Sequence, residues 1–410
     1  RTGLRGGVGW DSKIITRNEL TEYEQIPGVV GDIHSEVLRA CEASKPFLDA
    51  RWPDLPRFVS GYNLPMAWDG DTFNLNRIFS GSEGTLGVMT EATLQCVDIP
   101  KEQQLVVLGF SSFDAALRCG ISLSKCKPIA VEVVDEIIME AAKDDIPNSI
   151  DENAAAVLCV SCSDGSQIVE ASKLSSGLLS AILIETEEEI EKIWQFRNRS
   201  VGLLSSSGTT KRPVPFVEDC AVPPEKLADF ICDFQHLLSQ HGLRAGMFGH
   251  VDAGVIHVRP ALDISDEHDR SLIRTVTDEV VALVHSYGGV LWGEHGKGFR
   301  SEYGPQVFGE DLWKQVCRVK AAFDPTNQFN PGKVAAPTEH HPLISLDSTT
   351  RGKVNNEAAQ LPILTNTLRC DSNSQCQSVI VDNAMCPTYR LESNPMHSPR
   401  GRSEFLRHWL

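Results

Sequence analysis

The pattern of apolar and polar positions divides the 410-residue chain into stretches of different period. Up to about residue 60 it is irregular, apart from GDIHSEVLRACEASKPFL (31–48), which reads as an amphipathic helix. In RIFSGSEGTLGVMTEATLQCV (77–97) a glycine-rich loop leads into alternating Val88, Thr90, Ala92 and Leu94, a strand signal. From residue 105 the pattern changes. QQLVVLGF predicts a strand, SFDAALRCGISLSK a helix, and IAVEVVD and AAAVLCVSCSD two more strands. EEEIEKIWQFRNRSVGLLS follows as a long amphipathic helix. Strands alternating with helices predict an α+β domain with helices on one face of a sheet. FDPTNQFNPGKV, with Pro325 and the Asn330-Pro331-Gly332 run, closes that domain as loop. Residues 336–367 are polar, punctuated by proline and without a sustained period, as in a linker. A small cysteine-bearing module follows, and SPRGRSEFLRHWL predicts a final helix. No internal repeat is visible. The chain starts at Arg1 and stops within that helix, so a fragment of a longer protein is expected.

Composition narrows the class. The length allows two or three domains, and 41% hydrophobic residues can supply their cores. A formal net charge of −17 argues against nucleic acid as a partner, because phosphate binding needs clustered Lys and Arg. No apolar run is long enough to span a bilayer, and no signal peptide is visible. A cytoplasmic protein, at most peripheral at the inner face of a membrane, is expected. The twelve cysteines are even in number but scattered, which does not indicate a disulfide framework. Cys159 and Cys162 lie at odd spacing in a strand, on opposite faces, and read as structural. Cys41, Cys96, Cys119, Cys126, Cys220, Cys232 and Cys317 read as packing residues.

Candidate chemistry concentrates in two segments. GMFGHVDAGVIHVRP (246–260) carries His250 and His257. If Gly246–His250 and Val255–Arg259 pair around Ala253, a register opposing 250 and 257 puts both imidazoles on one face. Their Cβ atoms would then stand roughly 5 Å apart, close enough to share a metal ion. The alternative is a pair of half-buried core histidines bonded to backbone carbonyls. YGGVLWGEHGKGFRSE (287–302) adds Glu294 and His295 after a short apolar strand. Two histidines and one carboxylate with an open position make a common catalytic divalent site. Neighbours in a strand point to opposite sides, so one of the pair would be a ligand and the other a base. The alternative is a glycine-rich loop with a solvated acid.

SGSEGTLGVMTEATL, FGHVDAGVIHV, GEHGKG and FDPTNQFNPGK occur in this order. Together they resemble the signature segments of the FAD-linked 2-hydroxyacid dehydrogenases of the vanillyl-alcohol-oxidase superfamily, which includes D-lactate, glycolate and D-2-hydroxyglutarate dehydrogenases. LPRFVSGYNL, VEDCAVPPEKL and MCPTYR…SPRGR are similar to the long members fused to an iron–sulfur module. The resemblance covers roughly residues 55–335 and 365–410. It implies the C-terminal part of a PCMH-type FAD-binding domain over 1–100 and an FAD-linked oxidase C-terminal substrate domain with an antiparallel sheet over 101–335. A linker over 336–367 and the start of a small helical 4Fe–4S ferredoxin-type domain over 368–410 follow.

The resemblance also implies residue roles. Gly81, Ser82, Glu83, Gly84, Thr85, Gly87 and Val88 would lie along the FAD, where glycines let backbone N–H groups approach a pyrophosphate. Asn330 lies in the segment that would return to the flavin edge. His250, His257 and Glu294 would hold a divalent metal, Zn or Mn, and His295 would be the general base. Arg197, with Arg199 as a rival, would clamp the substrate carboxylate. Lys211, beside Arg212, would meet a second carboxylate if the substrate has one. The implied reaction removes the hydroxyl proton of a D-2-hydroxyacid, of the D-2-hydroxyglutarate or D-lactate type, and passes its Cα hydride to the flavin. The usual His-x-Gly-Asp-Gly-Asn-Leu-His motif departs here, with Val255 in place of Asn. That departure favours a rival reading as a non-catalytic electron-transfer or scaffold subunit. A metal-dependent hydrolase using the same histidines is a second rival. Cys370, Cys376 and Cys386 supply three of the four thiolates a 4Fe–4S cluster takes, as in the first half of a two-cluster module. An unligated loop and a three-thiolate zinc site are the alternatives. Electrons would leave through such clusters to a quinone or a soluble carrier.

Overall fold

The computed structural model describes residues 2–4, 8–58, 60–98, 103–143, 146–203, 211–264, 266–348, 370, 374–379 and 386–409. They fall into two compact units, Arg1–Ile344 and Ser345–Leu410.

The first 60 residues are more regular than the sequence pattern indicates. Helix α1 (Arg17–Glu24) is started by a capping box, in which Thr16 and Glu19 satisfy each other's backbone N–H. Helix α2 (Val29–Arg51) follows and packs along α9 (Gly304–Phe323), with Trp52 stacked on Phe308 at its end. The strand expected over 88–94 is confined to Val88–Met89, and residues 90–97 are exposed without a regular element. Alternation there reports no buried face, since Leu94 is 81% exposed.

The centre of the first unit is an eight-stranded, wholly antiparallel sheet. In chain order its strands are β1 (Gln104–Phe110), β2 (Ala130–Val134), β3 (Ala156–Cys162), β4 (Leu178–Ile184), β5 (Arg212–Pro213), β6 (Cys220–Ala221), β7 (Ala245–His250) and β8 (Val255–Leu262). Across the sheet they run β5-β8-β7-β2-β3-β1-β4, with β6 also along β8. The α+β class and the antiparallel sheet are therefore as expected.

Helices cover both faces, not one. Leu105, Val107, Val134, Val157, Cys159 and Phe248 form one face. They pack on α4 (Glu136–Ala141) and α6 (Glu187–Leu203) through Ile138, Met139, Ile193 and Phe196. On the other face a Cβ at Gly120 of α3 (Phe113–Leu123) would meet Val131 at 3.2 Å. One at Gly165 of α5 (Gly165–Ser172) would meet Val106 at the same distance. Two covered faces explain why β1 and β3 read as near-continuous apolar runs. Helices α7 (Leu227–Gln240) and α8 (Glu267–Ser286) complete this layer.

In the second unit the described helices are α10 (Pro387–Glu392) and α11 (Pro399–Trp409), the latter where SPRGRSEFLRHWL predicts one. Most of the expected linker, 349–367, lies outside the described residues.

Candidate functional site

The hairpin β7–β8 places the two histidines in a register different from the expected one. His250 opposes Val255, and His257 opposes Phe248. The turn is therefore the four residues Val251–Gly254. It closes tightly: Gly254 has φ +69°, and a Cβ there would lie 1.9 Å from Val222 O. A slip of two residues keeps each side chain on its face, whereas a slip of one would have reversed it. The imidazoles thus still meet, edge to face, with ring centroids 5.4 Å apart. Across the sheet from His250 stands Glu132 of β2, whose Oε1 is 2.5 Å from His250 Nδ1. This polar corner continues the face that carries the apolar core of β2, β3 and β7.

Glu294 and His295 are in a loop rather than a strand, and both side chains turn the same way. Their backbone N–H groups donate to the buried carboxylate of Asp219 at 2.9–3.1 Å. Asp219 itself has φ +79°, a strained conformation for a side-chain-bearing residue. Glu294 Oε1 lies 3.0 Å from His250 Nε2, 3.2 Å from His257 Nε2 and 3.6 Å from His295 Nε2. The expected division to opposite sides does not occur. Among the described residues, the donor atoms that all converge within 4.8 Å belong to Asp219, His257, Glu294 and His295. His250 stands just outside that set, joined to it through Glu294. His257 and His295 are stacked at 4.5 Å with ring planes 6° apart.

Charges alternate across the site. Hydrogen bonds from His250 and His257 hold the Glu294 carboxyl far below its ordinary range, and Arg57 Nη1 adds a 2.9 Å contact. Burial opposes protonation of His250, but Glu132 and Glu294 at its two nitrogens raise it to about 9. Burial dominates at His257 and lowers it. A bond to Glu218 raises His295. Glu218 is buried, which would raise it, yet His295 and Arg259 bring it down to about 2. Arg259 holds both Glu218 oxygens, at 2.6 and 3.0 Å.

Arg197 of α6 reaches the same corner, where Nη2 donates to Glu132 Oε2 at 2.6 Å and the guanidinium lies over Phe248. The side chain of its rival Arg199 lies outside the described residues. Lys211 pairs with Asp269 at 3.0 Å and is half-exposed. With Lys143, Arg244, Arg259, Ile137 and Ala261 it lines a cavity of about 680 Å³.

The glycine-rich segment has an inner and an outer side. Ser82 and Thr85 are buried, and Thr85 Oγ1 bonds Ser82 O and the Tyr62 hydroxyl. Gly81 and Gly84 have positive φ, and a Cβ at Gly84 would meet nothing within 4 Å, so the outer side is open. Gly87 and Val88 lead out of it into the short strand at 88–89. The Glu83 carboxylate turns away from that open side, to the backbone N–H groups of Lys297 and Gly298. Asn330 Nδ2 donates to Glu83 O at 2.7 Å. In the second unit Cys386 is buried, Cys370 is half-buried, and Cys376 Sγ accepts the Arg400 N–H at 3.4 Å.

Sequence reasoning missed Glu132, Glu218, Asp219, Arg57 and Arg259. Glu132 had a legible signal, a single acid inside the apolar strand AVEVV. Glu218 and Asp219 precede a short buried strand in VEDCAV.

A profile of FAD linked oxidases, C-terminal domain, matches residues 99–334. The chain is 37% identical to D-2-hydroxyglutarate dehydrogenase of Pantoea ananatis over 441 residues, covering 100% of this chain and 43% of that protein. It is 38% identical to D-2-hydroxyglutarate dehydrogenase of Escherichia coli over 418 residues, covering 93% and 40%. Glycolate oxidase subunit GlcD of Bacillus subtilis is 28% identical over 286 residues, 66% of this chain and 59% of that one. The chain spans less than half the length of the two dehydrogenases.

Proposed function

The chain belongs to the FAD-linked oxidases, whose C-terminal domain it carries, and from that premise we propose that it oxidises a D-2-hydroxyacid of the D-2-hydroxyglutarate type. One observation carries this reading: a single carboxylate oxygen of Glu294 faces three imidazoles, and one of those, His295, is held from behind by Glu218.

The donor set fits a divalent metal. The Nε2 atoms of His250 and His257 both lie within 3.2 Å of Glu294 Oε1, and two imidazoles with a carboxylate are ligand types that Zn or Mn accepts. His250, His257 and Glu294 would hold it, and the metal would act as a Lewis acid on the substrate hydroxyl. Glu132 suits the role of orienting His250: with its Nδ1 proton directed to that carboxylate, Nε2 is left as a donor atom. The open outer side of Gly84 fits a bound FAD, with Gly81, Gly84, Gly87, Val88 and Asn330 along it. When bound, FAD supplies the two-electron acceptor for the Cα hydride.

The protein's own residues do the rest. His295 accepts the hydroxyl proton at Nε2, because Glu218 accepts a hydrogen bond at Nδ1 and fixes the tautomer. Arg197 binds the substrate C1 carboxylate while remaining braced by Glu132. The cationic cavity of Lys211, Arg244 and Arg259 receives the second carboxylate. Val255, directly opposite His250 on the same face, offers no hydrogen bond where related motifs have Asn. Arg259, two positions beyond His257, places a guanidinium on that face instead.

We extend the proposal to the second unit, where Cys370, Cys376 and Cys386 would be three thiolate ligands of a 4Fe–4S cluster; the Arg400 N–H on Cys376 suits a thiolate. Such a cluster carries single electrons, toward a quinone or a soluble carrier. No helix among the described residues is long and apolar enough to cross a membrane.

The test is anaerobic mixing of the full-length, FAD-loaded protein with D-2-hydroxyglutarate, D-lactate and glycolate in turn. Loss of the oxidised-flavin absorbance with D-2-hydroxyglutarate, abolished by His295→Ala, is expected. A flavin that stays oxidised with all three acids overturns the proposal.

A further inference from the structure

The loop carrying Glu294 and His295 hangs by its backbone from two carboxylates, and only one of them belongs to the site. Asp219 takes the N–H groups of Glu294 and His295. Glu83, more than 200 residues earlier in the chain, takes the next available pair: Lys297 N–H at 2.6 Å and Gly298 N–H at 3.0 Å, one on each carboxylate oxygen. The intervening Gly296 makes the approach possible. It has φ +85°, and a Cβ there would sit 2.9 Å from Glu83 Cδ.

Glu83 is itself firmly seated. It has φ +53°, and its carbonyl accepts from Asn330 Nδ2. Two residues on, Thr85 O accepts from the fully buried Lys320 Nζ at 2.7 Å, and Lys320 also bonds Asp324 and Phe329 O. At the far end of the contact the Lys297 side chain is buried over Trp292 and Phe308. The glycine-rich segment 81–87 and the loop 294–298 are thus joined by one carboxylate between two fixed supports.

We propose that Glu83 is a positioning residue whose carboxylate, by holding the Lys297 and Gly298 amides, sets where Glu294 and His295 stand and so couples the flavin-lining segment to the proton-transfer site. The roles given to segment and loop rest on the proposed function; the latch does not. A carboxylate is needed because both oxygens must accept. An amide of the same shape offers one acceptor and turns an N–H₂ donor against the second backbone N–H.

The test compares full-length, FAD-loaded wild type with Glu83→Gln and Glu83→Asp. Hydrogen exchange is followed in peptides spanning 292–300, and anaerobic flavin reduction by D-2-hydroxyglutarate is measured over a range of concentrations. In Glu83→Gln whichever of the Lys297 and Gly298 amides faces the new N–H₂ is expected to exchange roughly tenfold faster or more, the effect of losing a hydrogen bond to a charged group. Bound FAD per chain and KM should stay near wild type, while the maximal reduction rate falls roughly tenfold. Glu83→Asp, which keeps two acceptors on a shorter stem, should recover part of both losses; if Glu83→Gln does not fold, Glu83→Asp is expected to show the same changes at smaller size. Wild-type protection of the two amides in Glu83→Gln overturns the latch. Faster exchange with an unchanged maximal rate overturns the positioning role. A wild type that no hydroxyacid reduces sinks the proposed function alone, and exchange still decides the latch.

Discussion

Glu218 Oε1 lies 3.3 Å from Nδ1 of His295, and the same carboxylate holds Arg259 through both oxygens. His295 is thereby raised, first by that hydrogen bond. A base must be neutral to accept a proton, so a raised His295 moves the acid limb of flavin reduction to higher pH. Glu218→Gln removes the cause. The limb should move to lower pH, and the maximal rate should fall roughly tenfold as the ring loses its brace. A pH profile of anaerobic reduction with an unmoved acid limb would refute the assignment.

Glu132 fixes His250 from the side opposite Glu294. Partners of this kind typically contribute roughly 10–100-fold to metal affinity. Titration of metal-stripped protein with Mn²⁺ or Zn²⁺ should show Glu132→Gln weakened by about that factor. Chelator treatment of the wild type should slow flavin reduction, and the added metal should restore it. Full activity at negligible metal content would exclude the metal from the reaction.

Arg197 and Lys211 should separate in their effects on substrate. Arg197→Met removes the clamp for the carboxylate that all 2-hydroxyacids share. KM should rise roughly tenfold or more for D-2-hydroxyglutarate and D-lactate alike. Lys211→Met acts in the outer cavity and should raise KM for the dicarboxylate alone. Equal effects of Lys211→Met on both acids would show that the cavity does not read the second carboxylate.

Burial lowers Lys297 from its ordinary 10.5 to about 8. Between those values the unfolded chain binds more protons than the folded one, so wild-type stability rises with pH through this window and the penalty is greatest below pH 8. Lys297→Met has no such group. Its stability relative to wild type should therefore be greatest at neutral pH and decline by up to about 3 kcal/mol toward pH 10.5. Denaturant unfolding at several pH values measures the difference; a gap independent of pH would contradict the assignment.

The elements with strong period were legible in the sequence: β1, β2, β3, α3 and α6 lie where their apolar patterns put them. Pairing was less so. The common face of His250 and His257 is legible in the alternation, but their register, which differs from the expected one by two residues, is not, because periodicity of two cannot distinguish registers that differ by a whole pleat. The Val88–Leu94 alternation failed for another reason, since all seven of its residues are exposed. Glu218 and Asp219 gave little warning: their importance comes from loop 294–298 folding onto them, a contact more than 70 residues away in sequence. The orientation of Glu294 and His295 was lost with it, because strand rules do not govern a loop hung on carboxylates.

The two halves of the site differ in how they are built. His250, His257 and Glu132 stand on paired strands and inherit the stiffness of the sheet. Glu294 and His295 stand on a segment with no ladder of its own, held by side-chain acceptors. Replacing that segment could change which proton is moved while leaving the imidazole platform intact. In this architecture the reaction is the exchangeable part, and novelty in substrate chemistry should accumulate on the suspended segment sooner than on the hairpin.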